Sequence, residues 1–170
     1  EVPRSVCFSG LPSQAELETL TRSLPFPVFV KPVRAGSSFG ITKVENPANL
    51  RTAVRDALRY DREVIVEETI AGFEVGCAVM GNAELTTGRA DEIEIQGDLF
   101  DYTEKYNLIT SKIHMPARVD AETERRIQDT AKSIYRALGC RGFARVDMFL
   151  EPTGRLVFNE VNTIPGFTSH

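Results

Sequence analysis

Apolar and polar positions along the chain change period several times, and each change marks an element. Ser13-Gln14-Ala15-Glu16 has the form of a capping box, and Leu17, Leu20 and Leu24 follow at helical spacing until Pro25, which predicts a short helix. Residues 27–32 are a brief apolar strand that empties into Arg34-Ala35-Gly36-Ser37-Ser38-Phe39-Gly40. The strand pattern resumes over 41–44, which predicts a hairpin around a glycine-rich loop. Asn46-Pro47 starts a helix with Pro in the first turn; Leu50, Val54 and Leu58, backed by Ala53 and Ala57, share its apolar face, and it is expected to end near Tyr60. Residues 64–68 read as a buried strand turning polar at its end, and 74–80 as a weaker one before a turn at Gly81-Asn82.

Two shorter strands are predicted around 85–87 and 92–95. Residues 97–116 are polar and aromatic without a clean period, and a loop of that length in a compact domain is usually functional. Asp120 caps a helix with an apolar stripe of Ile127, Ala131, Ile134, Tyr135 and Leu138, ended by Gly139. The last unit is a β-hairpin, 142–150 and 155–162, around Glu151-Pro152-Thr153-Gly154. Neither an internal repeat nor a low-complexity stretch is visible.

Composition narrows the function. The 170 residues are 42% hydrophobic and 26% charged, with a net charge of -4, which is enough apolar material for one domain or two small ones. No apolar run approaches a membrane span and no basic block is present, so neither a membrane nor a nucleic acid is an expected partner. The three cysteines, Cys7, Cys77 and Cys140, are far apart in apolar surroundings. They read as buried, reduced thiols of a cytoplasmic protein, without zinc-ligand spacing. The chain lacks an initial Met and stops after a polar loop, so it is expected to be a piece of something longer.

Period-2 alternation in the final hairpin puts Phe143, Arg145, Asp147 and Phe149 on one face of its first strand, and Leu156, Phe158, Glu160 and Asn162 on one face of its second. Pairing across the turn is expected to set Arg145 near Glu160, with Asp147 diagonal to it. Two carboxylates and an amide oxygen on one patch suit Mg²⁺ when phosphates complete the shell, and Arg145 could stabilise an oxyanion. The alternative is a cross-strand salt bridge, but charges sharing a face with three phenylalanines favour the metal site.

Lys31 before Gly36-Ser37-Ser38-Phe39-Gly40 offers charge, donors and close backbone approach to a polyphosphate, or the loop is only a turn. Glu67, Glu68 and Glu74 flank a strand end and suit ribose hydroxyls, or form a solvated acidic rim. Phe100-Asp101-Tyr102-Thr103-Glu104-Lys105-Tyr106 is either a lid over a charged ligand or an ordinary packed loop.

Taken in order, these segments resemble the D-alanine:D-alanine ligase family of ATP-grasp enzymes, over residues 27–170. The carriers are Lys31-Pro32 with the glycine-rich loop, Val66-Glu67-Glu68-Thr69-Ile70-Ala71-Gly72-Phe73-Glu74, Asp101 to Tyr106, Gly142-Phe143-Ala144-Arg145-Val146-Asp147, and Asn159-Glu160-Val161-Asn162 through Gly166 to His170. The resemblance implies an α+β fold of two subdomains whose antiparallel sheets sandwich the nucleotide. It divides the chain into a linker and first helix (1–24), a small central subdomain (25–70) and a larger C-terminal one (71–170), with the family's N-terminal domain absent.

It also implies roles. Lys31 would bind ATP phosphates and the backbone at Ser38 would cover them. Glu67, Glu68 and Ile70 would hold the adenine, Glu74 the ribose, and Phe149 counts among the nucleotide contacts. Lys105 would reach the γ-phosphate, and Tyr106 would bond Ser37 to close the site. Asp147, Glu160 and Asn162 would hold two Mg²⁺ ions, or Mn²⁺, while Arg145 and the Gly166 amide stabilise the tetrahedral intermediate. The implied substrates are ATP, D-alanine and a second D-amino acid, D-serine ahead of D-alanine, in a homodimer formed through the missing parts. An acidic residue for the first D-alanine, another nucleotide-binding lysine and a serine after Ser169-His170 lie outside the chain, so the amino-acid site is expected to be incomplete. A nucleotide-binding fragment without ligase activity, or another ATP-grasp carboxylate-amine ligase, stands as the alternative.

Overall fold

The computed structural model describes residues 1–36, 38–95 and 111–166. They form two compact units, one of residues 3–69 and the other of 1–2, 70–95 and 111–166. Both are antiparallel sheets backed by helices, which is the α+β class. No helix among the described residues is long and apolar enough to cross a membrane.

In the smaller unit, β1 (Ser5–Ser9), β2 (Val28–Pro32), β3 (Thr42–Val44) and β4 (Glu63–Glu68) make a sheet in the order β1-β4-β2-β3. The alternation of β2 and β4 sends Val28, Val30, Val64 and Val66 to one face, where all are fully buried. There they meet Leu17 of α1 (Gln14–Leu20) and Leu50, Ala53, Val54 and Ala57 of α2 (Leu50–Ala57). Each such valine contributes roughly 1.5–3 kcal/mol by leaving water. Opposite alternation leaves Phe29, Lys31 and Glu67 on the other face.

The capping box at Ser13 is formed in both directions. Helix α1 nevertheless stops at Leu20, and Leu24 is buried from the turn beyond it while Leu20 stays 42% exposed. Asn46 caps a 3-10 turn, Pro47–Asn49, that leads into α2, whose last helical residue is Ala57 rather than Tyr60. Strand β1 has no counterpart in the sequence reading. It is a short edge strand whose inward residues Val6 and Phe8 are only half-buried, so its apolar signal is weak.

In the larger unit, β5 (Phe73–Gly81), β6 (Leu85–Ile95), β7 (Ser111–His114), β8 (Gly142–Leu150) and β9 (Leu156–Asn162) run in the order β7-β6-β5-β8-β9. Val75, Cys77 and Val79 of β5 and Ala144, Val146, Met148 and Leu150 of β8 share a buried core with Ile127, Ala131 and Tyr135 of α3 (Ala121–Ala137). Asp120 caps α3 by accepting from the Thr123 N–H. Leu138 departs from the predicted stripe, being 51% exposed.

Two irregularities change the register. The two short strands expected around 85–87 and 92–95 are one strand of 11 residues, β6, because a register shift opposite Ala78, at Gly88-Arg89, breaks the alternation without ending the pairing. In β9, Asn159 is an extra residue between the pairs Met148↔Phe158 and Asp147↔Glu160. The stretch read as one loop over 97–116 in fact ends in β7, paired with β6; residues 97–110 lie outside the described residues.

Candidate active site

The face of the larger sheet away from α3 is organised in transverse rows. One row runs Asp91, Gly76, Asp147 and Glu160 across β6, β5, β8 and β9; the next carries Ala78, Arg145 and Asn162, and the row on the other side carries Ile93, Glu74, Phe149 and Val157. This corrects the expected register, since Asp147 faces Glu160 directly and Arg145 faces Asn162. The cause is Asn159. Its insertion reverses the facing of β9, so Phe158 packs into the core beside Met148 while Glu160 and Asn162 join the polar face. Phe158 is therefore not one of the site's apolar neighbours, whereas Phe149 and Phe143 do stand on that face.

Asp147 is 1% exposed and holds the centre. Arg145 Nε and Nη2 donate to its two oxygens at 2.7 Å each, and Asn162 Nδ2 donates to Oδ2 at 2.7 Å. The same Nδ2 lies 3.3 Å from Glu160 Oε1. Two carboxylate oxygens thus converge on the positive end of one amide, which is where a cation bridging the two acids would sit. With the amide reversed, its oxygen joins the carboxylates as an all-oxygen set fit for a hard divalent ion. Among the described residues no three His, Cys, Asp or Glu side chains converge as a metal site; the convergent set is two carboxylates and one amide.

The field here is acidic. The hydrogen bonds to Asp147, then the charges of Asp147, Asp91 and Glu74, raise the Arg145 guanidinium further above its usual value against the cost of burial. Asp91 was missed by the sequence reading. Its Oδ1 accepts the Gly76 N–H at 2.8 Å, and burial, then the charge of Asp147, hold its carboxyl above the ordinary range despite Arg145. A Cβ on Gly76 would stand 2.3 Å from Asp91 Oδ1, so only glycine lets the carboxylate lie there. A glycine inside a strand could have hinted at some close approach there, without saying what approaches.

In the smaller unit, Lys31 and Glu67 form an ion pair at 3.0 Å, with both side chains mostly buried, and Lys31 Nζ stands 5.9 Å from the Phe29 ring centroid. Glu68 turns instead to Arg4, accepting from its backbone N–H at 2.9 Å and from Nε at 2.7 Å. Ser38 takes a left-handed φ of 58° and Gly40 one of 74°, just before β3. Ile70 and Glu74 belong to the larger unit, and Gly166 is exposed beyond β9. Ser37, Lys105, Tyr106 and residues 167–170 lie outside the described residues. A cavity of about 400 Å³ beside Tyr135, Arg136 and Cys140 contains none of the predicted site residues.

The family model described as the D-ala D-ala ligase C-terminus matches residues 10–170. The vancomycin/teicoplanin A-type resistance protein VanA of Enterococcus faecium is 50% identical over 150 residues, covering 85% of this chain and 44% of its own length. The D-alanine–D-alanine ligase of Chlorobium luteolum is 48% identical over 147 residues, covering 86% and 41%. Among solved structures, the VanG D-Ala:D-Ser ligase of Enterococcus faecalis superposes with a TM-score of 0.89 at 62% identity, covering 99% of this chain and 49% of its own. The D-alanine-D-alanine ligase of Coxiella burnetii gives 0.80 at 29% identity, covering 99% and 44%. The chain spans about half the length of the relatives it matches.

Proposed function

The chain belongs to the D-alanine:D-alanine ligase family, and on that premise we propose that it carries the metal set and most of the ATP contacts of an enzyme that joins D-alanine to a second D-amino acid through a D-alanyl phosphate. The observation that carries this reading is the convergence of Asp147, Glu160 and Asn162 beside Arg145 on one sheet face.

In this reading Asp147, Glu160 and Asn162 would hold divalent cations, Mg²⁺ or Mn²⁺, since every donor is a hard oxygen. When bound, such ions neutralise the oxygens of the transferring phosphoryl group. Lys31 holds ATP phosphates, exchanging Glu67 for them, and the Ser38 backbone covers them. Glu67, Glu68 and Ile70 line the adenine, Glu74 takes the ribose, and Phe149 packs against the nucleotide. Lys105 reaches the γ-phosphate, and Tyr106 bonds Ser37 when the site closes.

A D-alanine carboxylate oxygen attacks the γ-phosphorus and ADP leaves, giving the acyl phosphate. The amine of the second substrate then attacks the carbonyl carbon. The guanidinium of Arg145 and the N–H of Gly166 stabilise the resulting oxyanion, which collapses with loss of phosphate and an amine proton to form the peptide bond. ATP use and a peptidoglycan-precursor product fit a cytoplasmic enzyme.

The lysine-tyrosine pair Lys105-Tyr106 supports an amine nucleophile, and the 62% identity to a D-Ala:D-Ser ligase supports D-serine, hence a vancomycin-resistance ligase. Supplying the intact protein with ATP and equal D-alanine and D-serine should yield mainly D-alanyl-D-serine. A mixture dominated by D-alanyl-D-alanine removes the D-serine assignment. Nucleotide binding with no phosphate release on adding D-alanine removes the ligase reading altogether.

A further inference from the structure

Asp91 has no part in the ligand set, yet it shares a row with Asp147 and Glu160, separated from Asp147 by Gly76 alone. Neighbouring strands lie about 4.8 Å apart, so the Cα atoms of Asp91 and Asp147 are roughly 10 Å apart. The side chain shortens that gap. Its Oδ1 accepts the Gly76 N–H at 2.8 Å, and Oδ1 and Oδ2 lie 2.3 Å and 3.2 Å from where a Gly76 Cβ would be, so the carboxylate lies flat over the glycine. Both residues are on the face away from α3, where Asp147 is 1% exposed and Asp91 half-buried, and the separation is within about one Debye length.

Arg145 makes two 2.7 Å bonds to Asp147. Left alone with Asp147, it would cancel the charge on which a cation there depends. A second carboxylate in the row of Asp147, with its charge acting on Arg145 as well, offsets part of that neutralisation.

We propose that Asp91 is a positioning residue of the cation site: laid across Gly76 in the row of Asp147 and Glu160, its carboxylate offsets the charge of Arg145, so that the set of Asp147, Glu160 and Asn162 keeps enough negative charge to hold a divalent cation. This rests on the assignment of those three residues as the ligand set. It adds a fourth strand, β6, to the machinery and gives Gly76 a reason to be glycine. A structural role would predict that losing the carboxylate loosens the sheet. The positioning role predicts the reverse, because a buried carboxylate beside another carboxylate is a cost in the metal-free protein, while an amide oxygen still accepts from Gly76.

The test is Mn²⁺ binding to the intact protein, followed by electron paramagnetic resonance with β,γ-imido-ATP present, beside the melting temperature of the metal-free protein. Asp91→Asn should raise the Mn²⁺ dissociation constant about tenfold, as losses beside a metal's own ligands do, with the melting temperature unchanged or higher. Asp91→Glu, which keeps the charge, should recover part of the affinity. Equal Mn²⁺ affinity in Asp91→Asn and wild type, with Asp147→Asn weakened in the same assay, overturns this inference alone. An Asp147→Asn variant that also binds normally, or a wild type that binds no Mn²⁺, overturns the ligand assignment and this inference together. A lowered metal-free melting temperature with unchanged affinity at a temperature where the variant is folded assigns Asp91 to structure only, and likewise overturns it.

Discussion

Arg145 and Asp147, two positions apart on β8, face the same side of the sheet and are joined by a pair of hydrogen bonds of 2.7 Å each. Asp147→Asn keeps the shape but loses the charge. It should weaken binding of a Mg²⁺-nucleotide by at least about tenfold. The fold should survive, because Asp91 and Glu74 also act on the Arg145 charge and Arg145 is a third exposed. Calorimetric titration and a thermal melt of the same variant check both halves; unchanged nucleotide affinity would remove Asp147 from the metal set.

A second pair ties β6 to the segment after β7. Glu92 is 5% exposed and accepts from Arg118 Nη2 at 2.6 Å and from the Arg118 backbone N–H at 2.9 Å. The Arg118 side-chain hydrogen bond, outweighing burial, holds the Glu92 carboxyl below its usual value. A lowered carboxylate contributes stability that is fully present above its unfolded value, about pH 4.3, and is lost as pH falls through the lower folded one. Arg118→Ala should destabilise the protein at neutral pH by leaving the nearly buried Glu92 carboxylate without its side-chain partner, an effect moderated because Arg118 is 53% exposed. Below about pH 4 the difference between variant and wild type should shrink. Denaturant melts at neutral and acid pH measure it, and a difference that grows with acid would contradict the pairing.

Gly40 should resist substitution. Its φ of 74° is left-handed, and a Cβ there would lie 2.5 Å from the Tyr60 ring and 2.9 Å from Pro32 Cγ. Gly40→Ala is expected to destabilise the smaller unit by about 1–2 kcal/mol, from the left-handed penalty with part of the clash relieved by the exposed Tyr60. A urea titration showing no loss would mean the turn has rebuilt itself.

The cysteines should separate by reactivity. Burial, then the charge of Asp91, push the Cys77 thiol up to about 12, so it is both inaccessible and protonated at neutral pH. Cys7, by contrast, is exposed, contrary to the expectation of three buried thiols, and Cys140 is half-buried. Under native conditions a maleimide should label Cys7 and spare Cys77 until the protein is unfolded; rapid native labelling of Cys77, read by peptide mass, would refute its burial.

The short-range features were legible in the chain. The Ser13 capping box, the Asp120 cap and the alternation that sets Arg145 beside Asp147 each depend on residues within one turn or one strand, and each stands as the spacing predicts. What escaped was set by the register between paired strands, which bulges shift. No local pattern says that Asp91 will lie over Gly76, 15 positions away, or that the strand carrying it continues past Gly88-Arg89. The facing of Glu160 against Asp147 escaped for the same reason, since a period-2 count passes through Asn159 without registering it.

Asn159 also makes the last strand unequal in what it can lose. Shortening the chain there would restore an even weave with Phe158 still inward and Glu160 still outward, so both layers would keep their occupants. Shortening it at Val161 would instead swing Asn162 to the α3 side and take an amide from Arg145 and Asp147 to bury it among Val146 and its neighbours. Length variation in this strand is therefore tolerable at one position and ruinous two positions later, a difference that composition alone would never reveal.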